Sequence, residues 1–108
     1  MARVAIRYEL ETAVERRVAR DAKAMYGVSS VKMELRHDAG YPDRMFLLPG
    51  KPFWVEFKRS GDVELRPLQE HKIGILKDLG YDVEVHSDYN EAMAAIVGRL
   101  RNVNRRFQ

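Results

Sequence analysis

At 108 residues the chain has room for one domain with a real core and not for two. Its 45% hydrophobic and 32% charged residues exclude a disordered tail, and the absence of cysteine excludes disulfides and Cys-ligated zinc while permitting a reducing compartment. The net charge of +3 leans toward an anionic partner, with basic clusters at Arg16, Arg17, Arg20 and Lys23 and at Arg99, Arg101, Arg105 and Arg106. On charge alone, a solvated helix surface with interspersed acids is the better account of those clusters.

No apolar run approaches the roughly 20 residues of a membrane span. The start, MARVAIRYELE, lacks the apolar stretch and small-residue cleavage site of a signal peptide. The expectation is a soluble, cytoplasmic protein (host-cell cytoplasm if viral) with no membrane partner.

Leu10 to Tyr26 has helical spacing, with Leu10, Val14, Val18, Ala22 and Met25 on one face and Gly27 as its stop. Val28 to Arg36 reads as a strand in which Val31, Met33 and Leu35 alternate. His37 to Tyr41 reads as a loop. Arg44 to Leu48 is a short apolar strand, Pro49-Gly50 a turn, and Phe53 to Lys58 a second strand ended by Ser60-Gly61-Asp62.

Pro67 is suited to open a helix whose apolar side is Leu68, Ile75, Leu76 and Leu79, with Ile73 near its margin and Gly80 as its end. Tyr81 to His86 alternates like a half-buried strand. Asp88 caps a last helix, about Glu91 to Leu100, with Met93, Ile96, Val97 and Leu100 facing inward. The order α-β-β-β-α-β-α predicts an α/β fold: a small mixed β-sheet flanked by helices, residues 1–108 forming a single domain.

Glu56 is the residue that does not fit a structural strand. It interrupts Phe53-Trp54-Val55-Glu56-Phe57, and a carboxylate in a buried strand is costly unless paired, protonated or bound to a metal. Lys58 shares its face. If the hairpin loop around Pro49-Gly50 holds two or four residues, Asp43 pairs with Glu56 or with Lys58, and all three lie on one face. An odd loop without a bulge puts Asp43 on the other face. Cross-strand carboxylates are close enough to share a Mg²⁺, with the backbone carbonyl of Phe57 as a further ligand. That set suits phosphodiester hydrolysis: a divalent cation polarises the phosphate and activates water, and a lysine orients that water or neutralises developing charge. E-x-K alone is a common structural ion pair; Pro42-Asp43 at the right distance is what makes it specific.

Pro42-Asp43 followed by Glu56-Phe57-Lys58 resembles the PD-(D/E)xK nuclease superfamily. More narrowly, the chain resembles the VRR-NUC (virus-type replication-repair nuclease) family, through Glu11, Gly40-Tyr41-Pro42-Asp43, Val55-Glu56-Phe57-Lys58, Leu65-Arg66-Pro67-Leu68-Gln69 and Leu79 to Val85. The resemblance spans about Leu10 to Ile96. It implies a restriction-endonuclease-like core and a nuclease dependent on Mg²⁺ or Mn²⁺. Asp43 and Glu56 would be metal ligands, Lys58 the water-activating or charge-stabilising residue, and Gln69 a helix-borne site residue.

The family's N-terminal acid maps best to Glu11, with Glu15, one turn later, as the competing assignment; spacing does not separate them. Similar-sized phage and bacterial members of the family are associated with homodimers that cut branched DNA, above all four-way junctions. The implied partners are therefore branched DNA and a second copy of the chain. A flap nuclease or exonuclease using the same residues is an alternative, as is a non-catalytic DNA-binding module.

Other residues carry weaker signals. His37, His71 and His86 are too scattered to form a metal cluster. Trp54 reads as core, Tyr41 as a loop residue beside the site, and Lys72 and Arg59 as either phosphate contacts or solvated cations. No glycine-rich phosphate loop is present, so ATP-driven chemistry is not indicated.

Overall fold

The computed structural model describes residues 2–33, 40–59 and 64–106, with side chains described for residues 12–102 of these. The expected turn at Ser60-Gly61-Asp62, the loop residue His37 and the side chain of Glu11 lie outside the described residues.

The elements run α1 (Ala2–Tyr26), β1 (Ser30–Lys32), β2 (Arg44–Phe46), β3 (Phe53–Phe57), α2 (Pro67–Asp78), β4 (Asp82–His86) and α3 (Tyr89–Arg106). This is the order expected from the periodicities. Helix α1 begins well before Leu10, because nothing between Ala2 and Glu9 breaks a helix. Helix α3 likewise starts directly after Asp88, whose Oδ2 accepts the Glu91 N–H at 2.9 Å, and runs on past Leu100.

The sheet order is β1-β2-β3-β4. Strands β1, β2 and β3 form an antiparallel meander. Strand β4 pairs parallel to β3, so a crossover must join them, and α2 supplies it. The end of α2 is set by Gly80 at φ +89°: its N–H bonds Lys77 O at 2.9 Å, and the Tyr81 N–H bonds Leu76 O at 2.9 Å. That pattern needs a left-handed residue at the position after the cap, which glycine adopts without a Cβ penalty.

Alternation along β3 divides the molecule. Phe53, Val55 and Phe57 pack with Val18 and Ala22 of α1 and Ala92, Met93 and Ile96 of α3. Trp54 points the other way, into a smaller cluster with Ile73, Leu76 and Val83. Helices α1 and α3 thus cover one face of the sheet and α2 the other. They are braced by Tyr89, whose hydroxyl donates to Asp21 at 2.6 Å beneath the Arg17 guanidinium. No helix among the described residues is long and apolar enough to cross a membrane.

Two expected faces are corrected. Helix α2 buries Gln69, Ile73 and Leu76, while Leu68, Ile75 and Leu79 are exposed. The sheet selects the stripe at positions 69, 73 and 76, and the richer apolar stripe is left outside. On α1, Met25 is 62% exposed, because the chain leaves the core at the helix end.

Candidate active site

Asp43 reaches the site through the strand register. Arg44 pairs with Val55, and Phe46 with Phe53, so the ladder places Asp43 opposite Glu56. This is the register of an even turn centred on Pro49-Gly50, although the paired strands stop at Phe46 and Phe53. The Met33 N–H holds the Asp43 carbonyl at 2.9 Å, and the Asp43 Oδ2 accepts the Phe57 N–H at 2.8 Å. Pro42 before it is fully buried.

The preceding turn is locked as well. Gly40 has φ +97°, and a Cβ there would lie 2.7 Å from the Leu68 carbonyl oxygen. The Gly40-to-Asp43 segment therefore docks directly against the start of α2.

Around the carboxylates lies a cavity of about 480 Å³, lined by Asp43, Glu56, Phe57, Lys58 and Gln69, and also by Thr12, Glu15, Lys32 and Arg66. Glu56 is 4% exposed and Gln69 6%. The Gln69 amide is engaged at both ends: its Nε2 donates to Glu56 Oε2 at 2.9 Å, and its Oε1 accepts Lys58 Nζ at 2.7 Å and the Arg66 N–H at 3.0 Å. Lys58 Nζ is 3.6 Å from Glu56 Oε2. One amide thus holds both the carboxylate and the amine in place.

Burial pushes the Glu56 carboxyl up to about 7, helped by the charge of the facing Asp43 and opposed by Lys58. Asp43 is raised too, first by burial and further by the charge of Glu15, against the bond from the Phe57 N–H. Two desolvated, mutually repelling carboxylates are an electrostatic deficit that a proton or a cation removes.

Glu15 lines this cavity at 5% exposure, so of the two candidate N-terminal acids it is the one with a described side chain at the site. It is held by Arg44 Nε at 2.8 Å and by Lys32 Nζ at 3.6 Å. Among the described residues no group of three or more His, Asp or Glu side chains is arranged to hold a metal. The donors that do converge are the Asp43 and Glu56 carboxylates. Two carboxylates beside open volume suit Mg²⁺ or Mn²⁺, which keep several waters and bind through one or two protein carboxylates.

Lys32, Arg44 and Arg66 were not singled out as site residues from the sequence. The available signal for Arg66 was an arginine directly before Pro67, where a helix-capping oxygen is usual. Trp54 packs near Tyr41, ring centroids 6.5 Å apart, as a core residue; His71 is exposed, and His86 bonds Glu84 at 2.7 Å.

No protein-family model matches the chain, and no curated protein does. Solved structures do. One described as a VRR_NUC domain is 23% identical, covers 81% of this chain and 94% of its own, and superposes with a TM-score of 0.71. Another, described as a VRR_NUC domain protein, is 19% identical, with 84% and 88% coverage and a TM-score of 0.72. At such identities the likeness is one of backbone architecture, and the chain has the VRR_NUC domain fold.

Proposed function

We propose that this chain is a divalent-metal-dependent nuclease that hydrolyses phosphodiester bonds in DNA, acting as a homodimer on branched substrates such as four-way junctions. The observation that carries the reading is the pairing of Asp43 and Glu56 across β2 and β3, with Lys58 and Gln69 on the same wall of one cavity. The VRR_NUC fold supports it, because the solved domains that share this architecture are named for a nuclease.

Asp43, Glu56 and the Phe57 carbonyl would hold Mg²⁺ or Mn²⁺. When bound, such a cation supplies Lewis acidity to the phosphate and lowers the pKa of water. The protein's own residues do the rest. Gln69 aims the Lys58 amine into the cavity, where it can donate to a phosphate oxygen or orient the attacking water. Gln69 also fixes the rotamer of Glu56. Glu15, locked by Arg44, contributes a further negative charge facing Asp43. A homodimer is favoured because one small domain carries one such cavity, and a symmetric junction needs two cuts.

The test is cleavage of a labelled four-way junction and of linear duplex with Mg²⁺ or Mn²⁺, with sedimentation for the oligomer. Asp43→Asn and Glu56→Gln are expected to lower the rate by about 10²–10³-fold or more while leaving the fold intact. Undiminished cutting by either variant refutes the site assignment.

A further inference from the structure

We propose that Arg66 is a phosphate-binding residue of this site, gripping the DNA backbone next to the phosphate presented to Asp43 and Glu56; this rests on the nuclease reading above. The carboxylates of this cavity repel a phosphodiester, so cations on its wall must offset that repulsion. Among the described residues the cavity has three: Lys32, Lys58 and Arg66. Two are already engaged. Lys58 Nζ is bonded to Gln69 and lies beside Glu56, and Lys32 Nζ is 3.6 Å from Glu15. Arg66 is exposed, and its guanidinium makes no ion pair among the described residues.

Arginine is an unusual residue for this position. Arg66 is the N-cap of α2, where Ser, Thr, Asp or Asn would accept an unpaired helix N–H. Arginine has no acceptor, and its side chain makes no cap hydrogen bond. Its backbone is nevertheless held closely: the Arg66 N–H donates to the same Gln69 oxygen that receives Lys58. The Arg66 main chain is thereby rooted in one frame with the amine and the carboxylate. Arg66 and Gln69 also line a second recess of about 320 Å³ with Gly40, Pro67 and Leu68. Arg66 therefore stands between the acidic cavity and the adjoining groove, where the neighbouring phosphate of a bound strand would lie. A planar fork of N–H donors suits that phosphate.

The experiment uses the full chain carrying Asp43→Asn, which suppresses cutting, and titrates a labelled duplex in EDTA across a series of NaCl concentrations. Adding Arg66→Ser is expected to weaken binding several-fold at low salt and to make the log–log salt slope shallower by about 0.9, with the melting temperature unchanged or raised by the restored cap. Arg66→Lys should keep the slope. An unchanged slope and affinity with Arg66→Ser overturns the proposal. So does a binding loss that accompanies a lower melting temperature and is not rescued by Arg66→Lys, because Arg66 then serves the fold. In parallel, Mn²⁺ cleavage is measured for the chain without substitutions. If it does not cut, the nuclease reading falls, while the salt slope still reports on Arg66.

Discussion

Glu56 concentrates the tension of the molecule in a single carboxyl. It lies 4% exposed in the central strand, faces Asp43, and holds its proton up to about pH 7. The unfolded chain releases that proton near its ordinary value of 4.5. Between these two values the folded state binds more protons, so metal-free stability is fully present at low pH and falls as pH rises through the window, with a constant deficit above it. Asp43, also raised, adds to the same trend. Glu56→Gln is expected to flatten this decline and to be more stable than the parent above pH 7, measured by thermal melts in EDTA across that range. A parent whose melting temperature rises from pH 4.5 to 7, with Glu56→Gln doing the same, would place the carboxyl in solvent. Gly40 is the other residue whose identity is dictated by its surroundings. Gly40→Ala forces a Cβ against the Leu68 carbonyl at positive φ and is expected to cost more than about 1 kcal/mol by denaturant unfolding, with slower cleavage because Asp43 moves with the turn.

At the scale of elements, α2 is the decisive piece. As the crossover between parallel strands it must lie on the sheet, and it does so on Gln69, Ile73 and Leu76. Its sequence contains a wider apolar stripe at Leu68, Ile75 and Leu79, which remains exposed. Ile73→Ala is therefore expected to cost about 2–5 kcal/mol by urea unfolding, and Ile75→Ala no more than about 0.5 kcal/mol. Equal losses would mean the helix is rotated from this arrangement. The rotation has a chemical consequence: turning Ile73 inward also turns Gln69 inward, because residues four apart share a helix face.

For the whole molecule, the larger core cluster and the site lie on opposite sides of one strand. Phe53, Val55 and Phe57 anchor β3 to α1 and α3, which frees Glu56 to face the cavity. A cation bound there stabilises the folded chain by mass action, because the unfolded chain has no paired carboxylates. Saturating Mn²⁺ is expected to raise the melting temperature of the parent by several degrees at pH 8, equivalent to about 2–3 kcal/mol at 100 times Kd. Chelator should reverse the shift, and the Asp43→Asn, Glu56→Gln double variant should show none. A shift retained in that variant would put the metal elsewhere.

Periodicity and turn residues alone determined the order of the seven elements, because each rests on local chemistry: alternation in β3 and β4, proline at the start of α2, glycine after α1 and α2. The same local reading set Asp43, Glu56 and Lys58 on one face, given an even turn. Three things were decided only by the tertiary structure. One is which stripe of α2 meets the sheet, since hydrophobic pattern ranks faces but the geometry of the crossover chooses among them. Another is that Glu15 enters the cavity, since it gets there by pairing with Arg44 from another element. The last is that Lys32 and Arg66 share the cavity with the carboxylates: they lie 34 positions apart in the sequence, and no local rule relates residues brought together only by the packing of β1 and α2 around one strand.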